Sequence, residues 1–133
     1  MPMRPINDRT ETRELMELYQ AEWCPASRRV RELLTELDVS YVIHQVPVDR
    51  ADRDALFSVA GSRVIPTLVL ADATVLVDEG DINAWLAEHV PAPAGASRHR
   101  AKAEDMRRLE VAPARTERPR PQTHHITQLE VPR

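Results

Sequence analysis

The chain has 133 residues, a formal net charge of −3, 42% hydrophobic residues and one cysteine. That length supports a single core, the lone cysteine excludes an internal disulfide, and no apolar run approaches the ~18 residues that would read as a membrane span. Charge is unevenly spread: residues 1–90 carry nine basic and sixteen acidic side chains, net −7, whereas residues 91–133 carry nine basic and five acidic, net +4. Six of the eleven prolines also fall in residues 91–133. The front is therefore an acidic, apolar-patterned body and the back a basic, Pro/Arg-rich tail.

Residues 1–13 are polar and unpatterned, and a flexible N-terminus is expected there. They lack the apolar centre of a secretion signal, so the lone thiol is expected in the reducing cytoplasm. Leu15 to Tyr19 reads as a first strand. Pro25 suits the first position of a helix, where its missing N–H has no partner to lose, which puts Cys24 at the N-cap. Val30, Leu33, Leu34 and Leu37 then recur at helical spacing. Tyr41 to Val46 is β-branched and aromatic, a second strand. Leu56, Val59 and Ala60 outline a helix over residues 52–60 that Gly61 would close. Val64 to Leu70 is nearly continuously apolar, as a strand buried on both faces would be. After the turn Ala71-Asp72-Ala73, residues 74–77 form its hairpin partner. Asp78-Glu79-Gly80-Asp81 opens a helix whose inner face is Ile82, Trp85, Leu86 and Val90. The order is β-α-β-α-β-β-α, an α/β domain over residues 14–90. Residues 91–133 read as a linker, a helix at 98–111 with few apolar positions, and a disordered tail.

The stretch Ala21 to Arg29 carries the chemistry. A cysteine between a strand end and a helix start meets unpartnered N–H groups and a partial positive charge, and both favour thiolate over thiol. Arg28 and Arg29 add cations nearby, while Glu22 opposes them. The competing reading is a buried structural cysteine, common for this residue type.

Cys24-Pro25-Ala26-Ser27, then Val64-Ile65-Pro66-Thr67, then Asp78-Glu79-Gly80-Asp81-Ile82, resemble the thioredoxin fold. More closely they are similar to glutaredoxins and the glutaredoxin-like N-terminal domain of glutathione S-transferases, over about residues 14–90. The resemblance implies a nucleophilic Cys24. Ser27 takes the place of the second cysteine of dithiol members, so only a monothiol route is implied. Pro66 corresponds to the family's cis-proline, which would turn the Ile65 backbone toward Cys24 and let a peptide-like thiol pair with Val64 and Ile65. Trp23 and Pro25 would wall the site. Glu79, Gly80 and Asp81 would hold the γ-glutamyl end of glutathione, and Arg63 its glycyl carboxylate. Two departures stand out: Gly80 replaces a serine of the transferase pattern, and Ala21 stands where many glutaredoxins carry a lysine.

The resemblance implies a monothiol glutaredoxin-like thiol-disulfide oxidoreductase. It would act on protein mixed disulfides with glutathione or another low-molecular-weight thiol as co-substrate. The alternatives are a thioredoxin-fold adaptor without turnover, or a transferase-like N-terminal domain. Cluster-binding members have Gly-Phe where this chain has Pro25-Ala26, and no metal is expected. Nor is a nucleic acid or membrane partner: the basic tail lacks aromatics, and its His124-His125 pair reads as disorder. His44 reads as structural.

Overall fold

The computed structural model describes residues 15–111. The expected flexible segment at 1–13, the disordered tail from Pro113 and the His124-His125 pair lie outside the described residues. The chain divides into two units between Ala101 and Lys102.

The first unit begins with β1 (Met16–Gln20), α1 (Pro25–Glu36) and β2 (Tyr41–Gln45), followed by a 3-10 turn (Arg50–Asp52) and α2 (Asp54–Ala60). β3 (Thr67–Val69), β4 (Val75–Val77) and α3 (Asp78–His89) complete the β-α-β-α-β-β-α order. The sheet runs β2-β1-β3-β4. β1 and β2 are parallel, joined through α1, while β1–β3 and β3–β4 are antiparallel.

Side-chain alternation makes the two faces of the sheet. Leu18 lies opposite Leu68, and both are fully buried with Leu70 against Val30 and Leu34 of α1 and Ile82 and Leu86 of α3. Each such leucine contributes roughly 1.5–3 kcal/mol of burial. The next pair, Tyr19 opposite Thr67, points to the other face, where Tyr19 and Leu56 of α2 border one cavity. His44 stacks on Tyr19 at 4.4 Å and donates a 2.8 Å hydrogen bond from Nε2 to the Glu17 carboxylate, packing contacts that match the structural reading.

Several element boundaries differ from the sequence reading by a residue or two, and two of the differences have a polar reason. The third strand starts at Thr67, not Val64. Pro66 has no N–H to give a ladder. The Val64 N–H donates instead to the Ser62 hydroxyl, and the Val64 carbonyl accepts from the Thr67 hydroxyl. The second helix starts at Asp54, because residues 50–52 form a separate 3-10 turn. Gly61 closes that helix at φ 70°, the left-handed conformation in which glycine carries no Cβ penalty.

Arg53, between the turn and α2, is 5% exposed. Its guanidinium donates to the carbonyls of Pro47, Val48 and Arg63 at 2.9–3.0 Å. One side chain thereby gathers the exit of β2 and the approach to β3. α4 (Ala96–Glu110) starts within the first unit, where Arg100 pairs with Glu36 of α1 at 3.1 Å. Of the second unit, residues 102–111 are described. They carry Arg107–Glu104 and Arg108–Asp105 pairs, with Met106, Leu109 and Val111 exposed.

Arg53→Met keeps the aliphatic stem and removes all three hydrogen bonds. It is expected to destabilise the protein by roughly 3 kcal/mol in urea unfolding, in line with loss of a buried charged hub.

Candidate active site

Cys24 is the N-cap of α1, with extended backbone angles (φ −81°, ψ 121°), and Pro25 follows as the first helical residue. The Ser27 N–H donates to Cys24 Sγ at 3.4 Å. The thiol sulfur thus does the work a serine or aspartate oxygen usually does at a helix start. The Cys24 N–H donates to the Ala21 carbonyl and the Cys24 carbonyl accepts from Arg28 N–H, so the turn is tied on both sides.

Partial burial pushes the Cys24 thiol up. The Ser27 hydroxyl, the Ser27 and Ala26 N–H groups and the Arg29 charge outweigh it, and the thiol lies below its ordinary value. Ser27 itself is fully buried, and its oxygen accepts from the Ala21 N–H at 3.4 Å. One of its two lone pairs is thus used by the backbone, while its hydroxyl proton serves the sulfur.

The other expected residues divide into three groups. Pro66 follows a cis Ile65–Pro66 bond, and the register Tyr19↔Thr67 sets this loop beside the turn that leads from β1 to Cys24. The Pro66 carbonyl accepts from Asp78 N–H at 2.8 Å, which brings the start of α3 to the same end of the sheet. Val64 has both backbone groups occupied internally, whereas among the described residues those of Ile65 have no protein partner. Trp23 is 59% exposed, and Pro25, Gly80 and Asp81 are exposed beside it in the chain segments that frame the site.

Glu79 and Arg63, by contrast, are engaged. Both oxygens of Glu79 are held by Arg29, at 2.8 Å from Nε and 2.9 Å from Nη2. These bonds and the Arg29 charge hold the Glu79 carboxyl below its usual range, against a smaller push from burial. Arg63 turns to α2: it donates to Asp54 (3.1 Å) and to the Ala51 carbonyl (3.3 Å), and lies 4.6 Å over the Phe57 ring.

The structure also changes the electrostatics read from the sequence. Arg29 is the cation that acts on the thiol. Glu22, expected to oppose the thiolate, is paired with Arg31 at 3.3 Å. Its carboxylate also accepts from the amide of fully buried Gln20, which donates in addition to Gln45 and accepts from Arg31. Gln20, Arg31 and Arg53 escaped the sequence reading, and so did the pairing of Arg29 with Glu79, because none of these separations is one that helix or strand periodicity marks. Among the described residues no group of three metal-ligating side chains assembles, and no helix is long and apolar enough to cross a membrane.

A mixed four-stranded sheet with α1 and α3 on one face, a cysteine at the first helix start and an X-Pro loop beside it define a thioredoxin-like α/β domain. Within that class, the chain belongs to the family of glutathione S-transferase N-terminal domains, which it matches over residues 18–94. No curated protein matches it. Among solved structures it is similar to a glutathione S-transferase from Rhodospirillum rubrum F11 (25% identity, TM-score 0.50), covering 61% of this chain and 39% of that one. A glutathione S-transferase from Sinorhizobium meliloti 1021 (22% identity, TM-score 0.52) is covered over 32% of its length by 57% of this chain. A glutathione transferase homologue from Sulfitobacter with bound glutathione (20% identity, TM-score 0.52) is matched over 87% of this chain and 62% of that one. The chain thus spans about a third of the length of the Sinorhizobium protein.

A depressed acid has a definite linkage sign. The folded state prefers the thiolate, so Cys24's contribution to stability is complete above the ordinary thiol value and is lost as pH falls through its lower folded value. Urea unfolding across that window is expected to show stability rising with pH, and Cys24→Ala to lose that rise.

Proposed function

We propose that the domain is a monothiol thiol-disulfide oxidoreductase that works on mixed disulfides with glutathione or a similar small thiol, with Cys24 as nucleophile. The observation that carries this reading is the lowered Cys24 thiol at the α1 N-cap, with a buried serine and not a second cysteine one turn on. The thiolate attacks the small-thiol sulfur of a protein mixed disulfide. A new S–S bond forms to Cys24, the old one breaks, and the protein sulfur leaves as thiolate and takes a proton from water. A second small thiol, as thiolate, then attacks the Cys24-bound sulfur. The symmetric small-thiol disulfide departs and Cys24 returns as thiolate. Ser27 steadies the Cys24 thiolate with which the cycle begins and ends, and cannot resolve the mixed-disulfide intermediate.

The docking surface fits a peptide-like thiol. The Ile65 backbone groups offer an unoccupied donor and acceptor; at the start of α3 the Asp78 and Glu79 N–H groups are taken by the Pro66 carbonyl and the Asp78 carboxylate, which leaves the Gly80 N–H for a carboxylate. The Sulfitobacter homologue with bound glutathione supports that ligand class. Arg63, held by Asp54 and Phe57, takes no part unless it leaves them.

A second reading is favoured by the family and by the span of the match: an N-terminal half-site of a transferase, whose activity needs a further domain. Incubation with oxidised glutathione followed by mass spectrometry separates the two. The oxidoreductase reading expects one adduct, on Cys24, released by reduced glutathione, with turnover of a glutathionylated substrate that Cys24→Ser abolishes. No adduct, or conjugation of a model electrophile by the chain alone, would overturn it.

Gly80 supplies a further check. A Cβ there meets no atom within 4 Å, so Gly80→Ser adds a hydroxyl at the start of α3 without a clash. It is expected to tighten glutathione binding roughly fivefold, the worth of one added hydrogen bond, in calorimetric titration.

A further inference from the structure

The Arg29–Glu79 pair joins the two helices that frame the site. Arg29 is on α1, little more than a turn beyond Cys24, and Glu79 is in the first turn of α3. Both carboxylate oxygens are taken, so Glu79 has spent its strongest acceptors on a cation of its own chain. A ligand ammonium that docks at Glu79 must therefore share or displace Arg29. The Arg29 side chain is 56% exposed, and a pair in that setting is held weakly enough to exchange. Besides Glu79, the acidic group whose charge its guanidinium feels is the Cys24 thiol at the N-cap of α1.

We infer that Arg29 is a movable positioning residue: Glu79 holds its charge in the ligand-free protein, and an α-ammonium group arriving at Glu79 turns that charge toward the Cys24 sulfur. The thiol docking site and the nucleophile are then coupled, and the nucleophile is most reactive when a small thiol bearing an amino-acid end is in place. This rests on the docking proposed above, and it specifies the ligand class: an amino-acid or γ-glutamyl thiol, not a simple alkyl thiol.

The other charges around the turn do not duplicate this role. Glu22 is paired with Arg31. Arg28 is exposed on α1. Asp78 turns its carboxylate to the Glu79 N–H at 2.7 Å, and Asp81 is exposed on α3. Among these, Arg29 alone both binds an acid of α3 and acts on the thiol.

The single cysteine makes the test direct, because thiolate ultraviolet absorbance in a pH titration reports Cys24 alone among thiols. Glu79→Gln removes the acid that holds Arg29. It is expected to raise the acid dissociation constant of Cys24 about threefold without ligand, the size of a released surface charge pair. Arg29→Ala should lower it, and Arg29→Lys should restore part of the loss. S-methylglutathione, which cannot form a disulfide, should raise the constant in the wild type and have no further effect in Glu79→Gln or Arg29→Ala. A merely structural bridge predicts the opposite for Glu79→Gln, since loosening the turn would weaken the Ser27 hydrogen bonds and raise the thiol. An unchanged or weakened acid in Glu79→Gln, or calorimetric binding of S-methylglutathione with no change in the titration, would overturn the inference. Failure of the oxidoreductase reading shows elsewhere, as absence of a Cys24 adduct with oxidised glutathione, and leaves the Glu79→Gln titration to decide the role of Arg29.

Discussion

The antiparallel pairing of β1 with β3 is the constraint on which the site depends. Leu18 opposite Leu68 buries the centre of the sheet under α1 and α3, and that burial sets the register. One residue on, Tyr19 meets Thr67, so the chain leaving β1 toward Cys24 runs beside the chain entering β3 through Ile65 and Pro66. A slip of one residue would turn the leucines out of the core and move the X-Pro loop off the cysteine turn. Hydrophobic packing in the middle of the sheet thus places polar chemistry at its end.

The charges at that end are distributed by pairing. Arg31 takes Glu22, Arg29 takes Glu79 and Arg63 takes Asp54. What is left to the thiol is short-range: a helix start, the Ser27 hydroxyl and N–H, and the residual field of Arg29. Hydrogen bonds from fixed donors one turn away are less sensitive to salt than exposed charges. The lowered thiol therefore rests first on the Ser27 hydroxyl, then on the N–H groups of the first turn, and last on the Arg29 charge. Arg53 supports that geometry from the other direction, since its three carbonyls hold the segment that delivers Val64 to Pro66.

Much of this was legible without coordinates. The leucine and valine spacing of α1, the β-branched run of β2, Gly61 and the hairpin at residues 71–73 are local signals, and they named the elements and their order correctly. Cys24, Pro66 and Gly80 stood out because each has a backbone reason to be where it is, and the structure has them at an N-cap, an X-Pro bond and a helix start. The errors were local too. Val64 and Ile65 look like strand, but hydroxyls of Ser62 and Thr67 take the backbone groups of Val64. Arg53 carries no local signal of its role, and it is buried.

The sequence by itself determined the fold class and the place of its single cysteine at a helix start with a serine three residues on, because hydrophobic period, one cysteine and Ser27 are facts of the chain alone. Only the tertiary structure decided which cation serves the thiol, which acids are already spent, and that Arg63 faces α2 and not Cys24. Those assignments depend on side chains up to 50 residues apart meeting at hydrogen-bond distance. Charge pairing of that kind is settled by packing, and charges leave no periodicity in the sequence from which their partners can be read.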